Sequence, residues 1–471
     1  MKNLKYIFLA LVILASSCQD IVEDVNDNPN QITPEEVDAR LFLTGAMLAN
    51  IVAQNGHLNR IAALYSGQLT GFTSLYSNIY GYNLSTAESV TTWSRMYIGV
   101  VPNVRYIREQ QPDNLQLQGI CKVLEAHAIG TAASLFGDVP YSEIAGEIAD
   151  PVFDPQMSVF NAVNDLLNQA ISDLGAAGSA PLPEDIHFDG DSEKWQAVAY
   201  TLLARNLLLM KDYAGANAAA QNGIADAADN MLHVPRGDPA QSEGDKNLFW
   251  MILEGSRAGD IGTGNSYLMQ LLNDTTDVYR GNAKTDETAR FGFFTIDEAS
   301  GTDNSGIIEQ FEPMVMVGYQ ENQLTLAETA IRTQDFATAL GHLNDYRAWL
   351  TEGGQLNDAF IDEPFMYEPY EAADFATGGM ENPDGISADD ALLREIIEER
   401  YISGFGTHMP FNDARRLRMT DPDLDVPFPF NIATATAHPE RLPYSNDELL
   451  TNSNAPDEDP GIFVRTPVNS N

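Results

Sequence analysis

The stretch ENQLTLAETAIRTQDFATALGHLNDYRAWL, residues 321–350, decides the fold class. Its apolar residues recur at helical spacing on both sides of a break at Gln334-Asp335. The reading is a helix over 321–333, a two-residue turn, and a second helix over 336–351 led by Phe336. A second stretch, MKDYAGANAAAQNGIADA at 210–227, repeats the design. Its turn is Lys211-Asp212, its leading aromatic is Tyr213, and TLLARNLLL precedes it as the partner helix.

A helix, a short turn and an aromatic-led second helix make a tetratricopeptide-like unit. Such pairs bury their apolar faces only by stacking on neighbours. Two copies are evident, and the flanking sequence agrees with a mostly α fold carrying long irregular loops and a few short strands. Helical periodicity starts near Asp38 and returns over 86–110, 115–136, 156–174, 192–211 and 214–228. Another helix is expected over 388–403, with a capping box started by Ser387 and Asp390 and one face made by Leu393, Ile397 and Tyr401. Segments 71–85, 229–320 and 352–386 read as loop regions rich in Gly, Asn, Asp, Pro and Tyr, and the tail from 405 onward reads as irregular.

The N-terminus is of another kind. Lys2 and Lys5 precede an apolar run from Tyr6 to Leu14, and Ala15-Ser16-Ser17 lead into Cys18. This order is a secretory signal peptide over 1–17. The run is well short of the ~20 residues that span a bilayer. Ending on L-A-S-S-C, it resembles a bacterial lipobox, in which the Cys18 thiol carries the lipid anchor; two or three acyl chains hold stably where one is marginal. Residues 18–37 are then an acidic tether, and 38–471 a single helical domain. With Cys18 lipidated, only Cys121 remains, so no intrachain disulfide can form. Cys121 lies in the apolar helix GICKVLEAHAIG and reads as a buried structural thiol.

Lys plus Arg number 26 and Asp plus Glu 68, a formal charge of −42. That surface repels nucleic acid and other polyanions at long range, and mildly favours a neutral glycan over a charged one.

Several segments, in order along nearly the whole chain, resemble the SusD/RagB family of outer-membrane nutrient-binding lipoproteins, in a second SusD-like subgroup. They are the lipobox and tether, TTWSRMYIGVVPNVRYI with Trp93, Tyr97 and Asn103, FGDVPYSE before Ile144, the 321–347 helix pair, LLREIIEERYISGFG with FNDARRLR over 392–418, and PERLPYSNDELLTNSNAP at 439–456. The resemblance implies helix pairs scaffolding variable loops, and a lipid anchor on the outside of the outer membrane. It also implies a hinged lid on a SusC-type TonB-dependent β-barrel transporter, with an oligosaccharide, or in some members a peptide, as cargo and no covalent chemistry. The acidic run that follows the lipidated cysteine in the family is interrupted here by Ile21-Val22.

Ligand-binding candidates are the aromatics of the first loop, Phe72, Tyr76, Tyr80 and Tyr82, because ring faces stack on pyranose C–H faces and Tyr hydroxyls hydrogen-bond. Packing of that loop onto the core is the competing reading. Trp250 reads equally as a ligand platform or a core anchor; Tyr267 and Tyr319 are weaker candidates. Trp93, Trp195 and Trp349 read as packing. Glu399, Arg400, Arg415 and Arg416 read as a structural ion network rather than an active centre.

DPDLDV at 421–426 starts like a calcium loop but lacks Gly at its sixth position and has Ile432 at its twelfth. No metal or other cofactor is expected, although a structural calcium on some other carboxylate set stays open. GDIGTGNS lacks a P-loop lysine, and with this many acids a glycosidase-like carboxylate pair carries no weight. A surface glycoside hydrolase and a purely structural surface protein are the competing classes.

Overall fold

The computed structural model describes residues 38–144, 148–241 and 244–470. The signal peptide, Cys18 and most of the tether lie outside the described residues. Phe42–Asn471 group as one unit.

The frame is helical. It comprises α1 (Leu41–Asn55), α2 (His57–Tyr65), α3 (Ser74–Tyr80), α4 (Val101–Gln110), α5 (Leu115–Phe136), α6 (Gln156–Ala176), α7 (Ser192–Leu209) and α8 (Tyr213–Ala220). After the middle of the chain come α9 (Leu248–Glu254), α10 (Tyr267–Leu272), α11 (Thr288–Phe294), α12 (Tyr319–Arg332), α13 (Phe336–Thr351), α14 (Ala388–Ser403), α15 (Met409–Thr420) and α16 (Asn446–Thr451). Successive members stack: α4 on α5, α5 on α6, α6 on α7, α7 on α8, α8 on α12, and α12 on both α13 and α14. Among the described residues no helix is long and apolar enough to cross a membrane.

Both helix pairs read from the repeat are present. Asp212 caps α8 through Gly215 N–H at 2.9 Å, and Asp335 caps α13 through Thr338 N–H at 3.1 Å. Each cap follows a residue in the left-handed region, Lys211 (φ 64°) and Gln334 (φ 64°), so the two turns share one geometry. Helix α8 stops at Ala220, short of the expected 228. The cause is a close approach: a Cβ on Gly223 would lie 2.2 Å from Asn322 Oδ1. The Asn322 amide donates to the Ala220 and Ile224 carbonyls at 3.0 and 3.2 Å, tying that end of the pair to α12. Trp93 and Trp195 are buried as expected, as are Leu393, Ile397 and Tyr401. Ser387 Oγ accepts from Asp390 N–H at 3.0 Å, the N-cap half of the expected box. Cys121 is fully buried, and burial pushes its thiol up to about 12.

Two expectations fail. Segment 71–85 is not a plain loop, since α3 occupies its middle. An isolated helix of seven residues is marginal; burial of Tyr76 and Ile79 on one face supports it. The tail is not irregular throughout either. Helix α15 runs from Met409 to Thr420, and charged Asp413, Arg415 and Arg416 are buried beside its apolar Phe411, Ala414 and Leu417, which masks the apolar stripe in the sequence.

Those charges close a buried cluster around Glu328 of α12. Arg416 donates to both Glu328 oxygens at 2.6 and 3.0 Å, Arg332 to one at 2.8 Å, and the Arg400 Nε lies 3.3 Å away. Asp413 receives Arg400 at 2.8 Å and Arg416 at 3.0 Å, and Asp421 receives Arg332 at 2.8 Å. Although burial opposes ionisation, the three guanidiniums hold Glu328 well below the usual carboxylate range. Glu399 belongs to a different cluster. Arg280 pairs with Glu287, Glu395, Glu398 and Glu399 at 2.5–2.8 Å, and Arg290 with Glu287 and Glu399 at 2.7 and 2.6 Å. Arg415 joins neither; it donates to the Ser134 and Glu440 carbonyls and to Asn412. The expected network is therefore two networks, and the second pins residues 280–290 onto α14.

The strands serve the loops. β1 (Thr70–Gly71) pairs antiparallel with β5 (Ile261–Gly262), β2 (Val139–Pro140) with β3 (Phe153–Asp154), β4 (Met231–His233) with β7 (Met314–Val317), and β6 (Thr285–Asp286) with β8 (Met366–Tyr367). β4–β7 closes the base of the 229–320 excursion. β1–β5 joins the first loop segment to that excursion, and β6–β8 joins the third. Three segments remote in sequence thus form one loop layer.

Candidate ligand-binding site

The first ladder positions the aromatic segment. Phe72 N–H donates to the Asp260 carbonyl at 2.8 Å, and Thr73 Oγ1 to Asp260 Oδ1 at 2.8 Å. Phe72 is half-buried and reaches the Gly264 turn, where an added Cβ would sit 3.3 Å from its Cζ. Tyr80 and Tyr82 are also half-buried. The Tyr82 hydroxyl accepts from Asn431 N–H at 2.9 Å, and its ring meets Tyr65 and Phe463 edge-on at 5.7 and 5.8 Å. Tyr267, half-buried, starts α10 and donates its N–H to the Gly67 carbonyl at 2.8 Å.

Two candidates lie inside. Tyr76 is 1% exposed. Its hydroxyl accepts from Arg60 Nε at 2.8 Å and donates to His57 Nδ1 at 3.1 Å, and His57 Nε2 donates to Glu88 at 2.7 Å. Trp250 is 3% exposed in α9, whose first turn is capped by Asn247. Both side chains are packed in the core. Helical spacing explains the burial of Tyr76: with Ile79 three residues on, it forms the inward stripe of α3.

An open groove of about 360 Å³ runs beside Phe72. It is lined by the buried Thr263, Met269 and Ile296, by Asn265, Gln270, Asn273, Thr276 and Thr295, by Phe291 as its aromatic, and by Asp297 and Glu298. No Lys, Arg or His lines it. The Asn265 backbone sits at φ 61° and its carbonyl accepts from Gln270 at 3.2 Å, which holds the turn against α10. The Thr276 and Thr295 hydroxyls donate to backbone carbonyls, so they face the groove as acceptors, beside the amides of Asn265, Gln270 and Asn273 and one ring that offers a stacking face; hydroxyl donors on a neutral ligand suit such a lining. Apart from the composition of RAGDIGTGNS, nothing in the sequence marks these residues.

Behind Ile296, which lines both, lies a second space of about 270 Å³. Phe249, Phe293, Phe294, Phe405 and Trp349 wall it, with Arg60, Asn55 and Gln320 among its polar groups. Trp349 does pack on Tyr319 and Tyr346, at 5.4 and 5.5 Å, but it is half-buried and faces this cavity as well. Asp421 of the calcium-like stretch is engaged by Arg332, and among the described residues no group of three or more His, Cys, Asp and Glu is placed to hold a metal ion.

Among curated proteins none matches this chain. Solved structures match across most of its length. A SusD/RagB family protein from Bacteroides thetaiotaomicron superposes with a TM-score of 0.65 at 19% identity, covering 89% of this chain and 95% of that one. A chitin-binding SusD homologue from Flavobacterium johnsoniae gives 0.66 at 18%, covering 91% and 99%. A SusD homologue from Bacteroides fragilis gives 0.66 at 17%, covering 92% and 100%. At these identities the likeness establishes the fold. The SusD-like family model described as starch-binding and associating with the outer membrane matches residues 29–409, and this chain belongs to that SusD-like family.

Proposed function

We propose that this chain is a cell-surface lipoprotein, anchored through Cys18, that binds a neutral oligosaccharide in the open groove and passes it to a SusC-type TonB-dependent transporter as its lid. It does no covalent chemistry. The observation that carries the ligand class is the groove itself: Asn265, Gln270, Asn273, Thr276 and Thr295 beside Phe291, with Asp297 and Glu298 in the lining and no cation to hold an anionic ligand. The family's outer-membrane association and the chitin-binding relative support the same reading. The loop layer supports the reading: β1 carries Phe72 against the Gly264 turn of the groove, and α11 carries Phe291 into its lining.

Calorimetric titration with neutral glucans, fructans, mannans, xylans, chitin oligosaccharides, a uronate polymer and a peptide digest tests it. One neutral glycan class is expected to bind. Phe291→Ala should weaken it about 2- to 10-fold, the value of an aromatic contact. Gln270→Ala should weaken it about fivefold, for one net hydrogen bond. Heat with peptides alone would replace the glycan by a peptide, and shortening of the glycan during titration would make the protein a hydrolase. Co-purification of a β-barrel with the lipidated chain, lost in Cys18→Ala, tests the lid.

A further inference from the structure

The 270 Å³ cavity is a different kind of site from the groove. Its aromatic walls are buried: Phe249, Phe293, Phe294 and Phe405 are each at most 7% exposed. An apolar cavity of about 150 Å³ already accepts benzene, so this one has room for a ring with a short substituent.

Its polar groups are unsatisfied in a specific way. Arg60 is 5% exposed and spends only its Nε, on Tyr76. Its guanidinium lies over the Phe249 ring at 5.7 Å. Nη1 is buried with no hydrogen-bond partner, and Arg60 pairs with no carboxylate among the described residues. The other buried arginines named above are all neutralised or hydrogen-bonded at their terminal nitrogens. A desolvated guanidinium without a counter-charge is unfavourable, and a free fork of N–H donors is complementary to a carboxylate. Gln320 Oε1 and Asn55 Oδ1, on residues no more than 5% exposed, are unpartnered too. The cavity's one carboxylate, Glu312, accepts from Asn357 at 2.9 Å, and burial raises its pKa, which favours its neutral form.

We propose that this cavity binds a small aromatic carboxylic acid, with the carboxylate on the free edge of Arg60 and the ring among Phe249, Phe293, Phe294 and Trp349. The site is separated from the glycan groove by Ile296 and does not rest on the function assigned to that groove.

The probe is hydrocinnamate, titrated into the full-length chain in mild detergent. Hydrocinnamyl alcohol, of the same ring and chain length without the charge, is the comparison. The acid should bind at least tenfold more tightly than the alcohol. Arg60→Met should erase that preference, while Ile307→Trp, which fills the cavity, should abolish binding of both and Phe291→Ala should change neither. If Arg60→Met does not fold, the acid–alcohol comparison in the unaltered chain decides alone. Equal binding of acid and alcohol, or no binding of either at millimolar concentration, overturns the proposal. So does an acid preference that survives Arg60→Met.

Discussion

Replacing Glu328 by Gln tests the principle that holds the helical frame together. Three guanidiniums converge on Glu328, and Asp413 and Asp421 are their other carboxylates. The substitution keeps the shape and removes one negative charge, leaving three buried cations to share two carboxylates. Arg416 suffers most, because its side chain is fully buried and one of its two bonds to Glu328 is replaced by an amide N–H facing its own donor, leaving Asp413 as its one carboxylate. Removing one partner of a buried pair costs about 3–5 kcal/mol. Because Asp413 and Asp421 retain their arginines, the lower half of that range, about 3–4 kcal/mol, is expected. Domain stability is about 5–15 kcal/mol, so the variant should still fold. Urea unfolding followed by circular dichroism measures it: with a slope of about 3 kcal/mol per molar, the midpoint should fall by about 1 M at unchanged slope. Glu328→Gln combined with Arg416→Met should cost less than the two single changes summed. A loss under about 1 kcal/mol, the worth of an exposed pair, would refute the view that this cluster is a desolvated, mutually dependent unit.

Trp250→Ala should lower stability by about 3–5 kcal/mol, as large-to-small changes in a core do, and leave the glycan affinity of the folded protein unchanged; titration calorimetry and urea unfolding separate the two. Burial raises Glu395 to about 8 in the folded state, so folding favours its protonated form. Its contribution is therefore complete below the unfolded carboxylate value of about 4.3 and declines as pH rises toward 8. In Glu395→Gln the pH dependence of the urea midpoint should be flatter over that window. Glu328 acts with the opposite sign: its folded pKa is depressed, so its contribution is present above about pH 4.3 and is lost as pH falls below it. Cys121 should stay inert to a thiol reagent in the native protein and react on unfolding, with Cys121→Ser as the control.

How much was legible follows from where the chemistry lies. The helix pairs at 192–220 and 319–351 were readable because their signals are local: helical apolar spacing, a two-residue turn and an aromatic start. Helix α15 was not, because its inward face is charged and its partner Glu328 is remote in sequence. The aromatic candidates divide by burial: Phe72, Tyr80, Tyr82 and Tyr267 are half-buried, and Tyr76 and Trp250 are inside. Phe72 reaches the Gly264 turn, whereas Tyr76 and Trp250, also aromatic, fall inside.

Taken alone, the sequence determined that this chain is a mostly helical SusD-like protein, because cap spacing, apolar period and ordered motifs are properties of neighbours along the chain. Only the tertiary structure decided which loops meet, through two-residue ladders at 70–71 with 261–262 and 285–286 with 366–367. It alone decided which arginines are neutralised, and that Arg60 is not. Ladders this short and pairings this distant carry no local signal: their partners are chosen by the packed helices that bring them together, and a binding site built from such encounters exists only once the chain has folded.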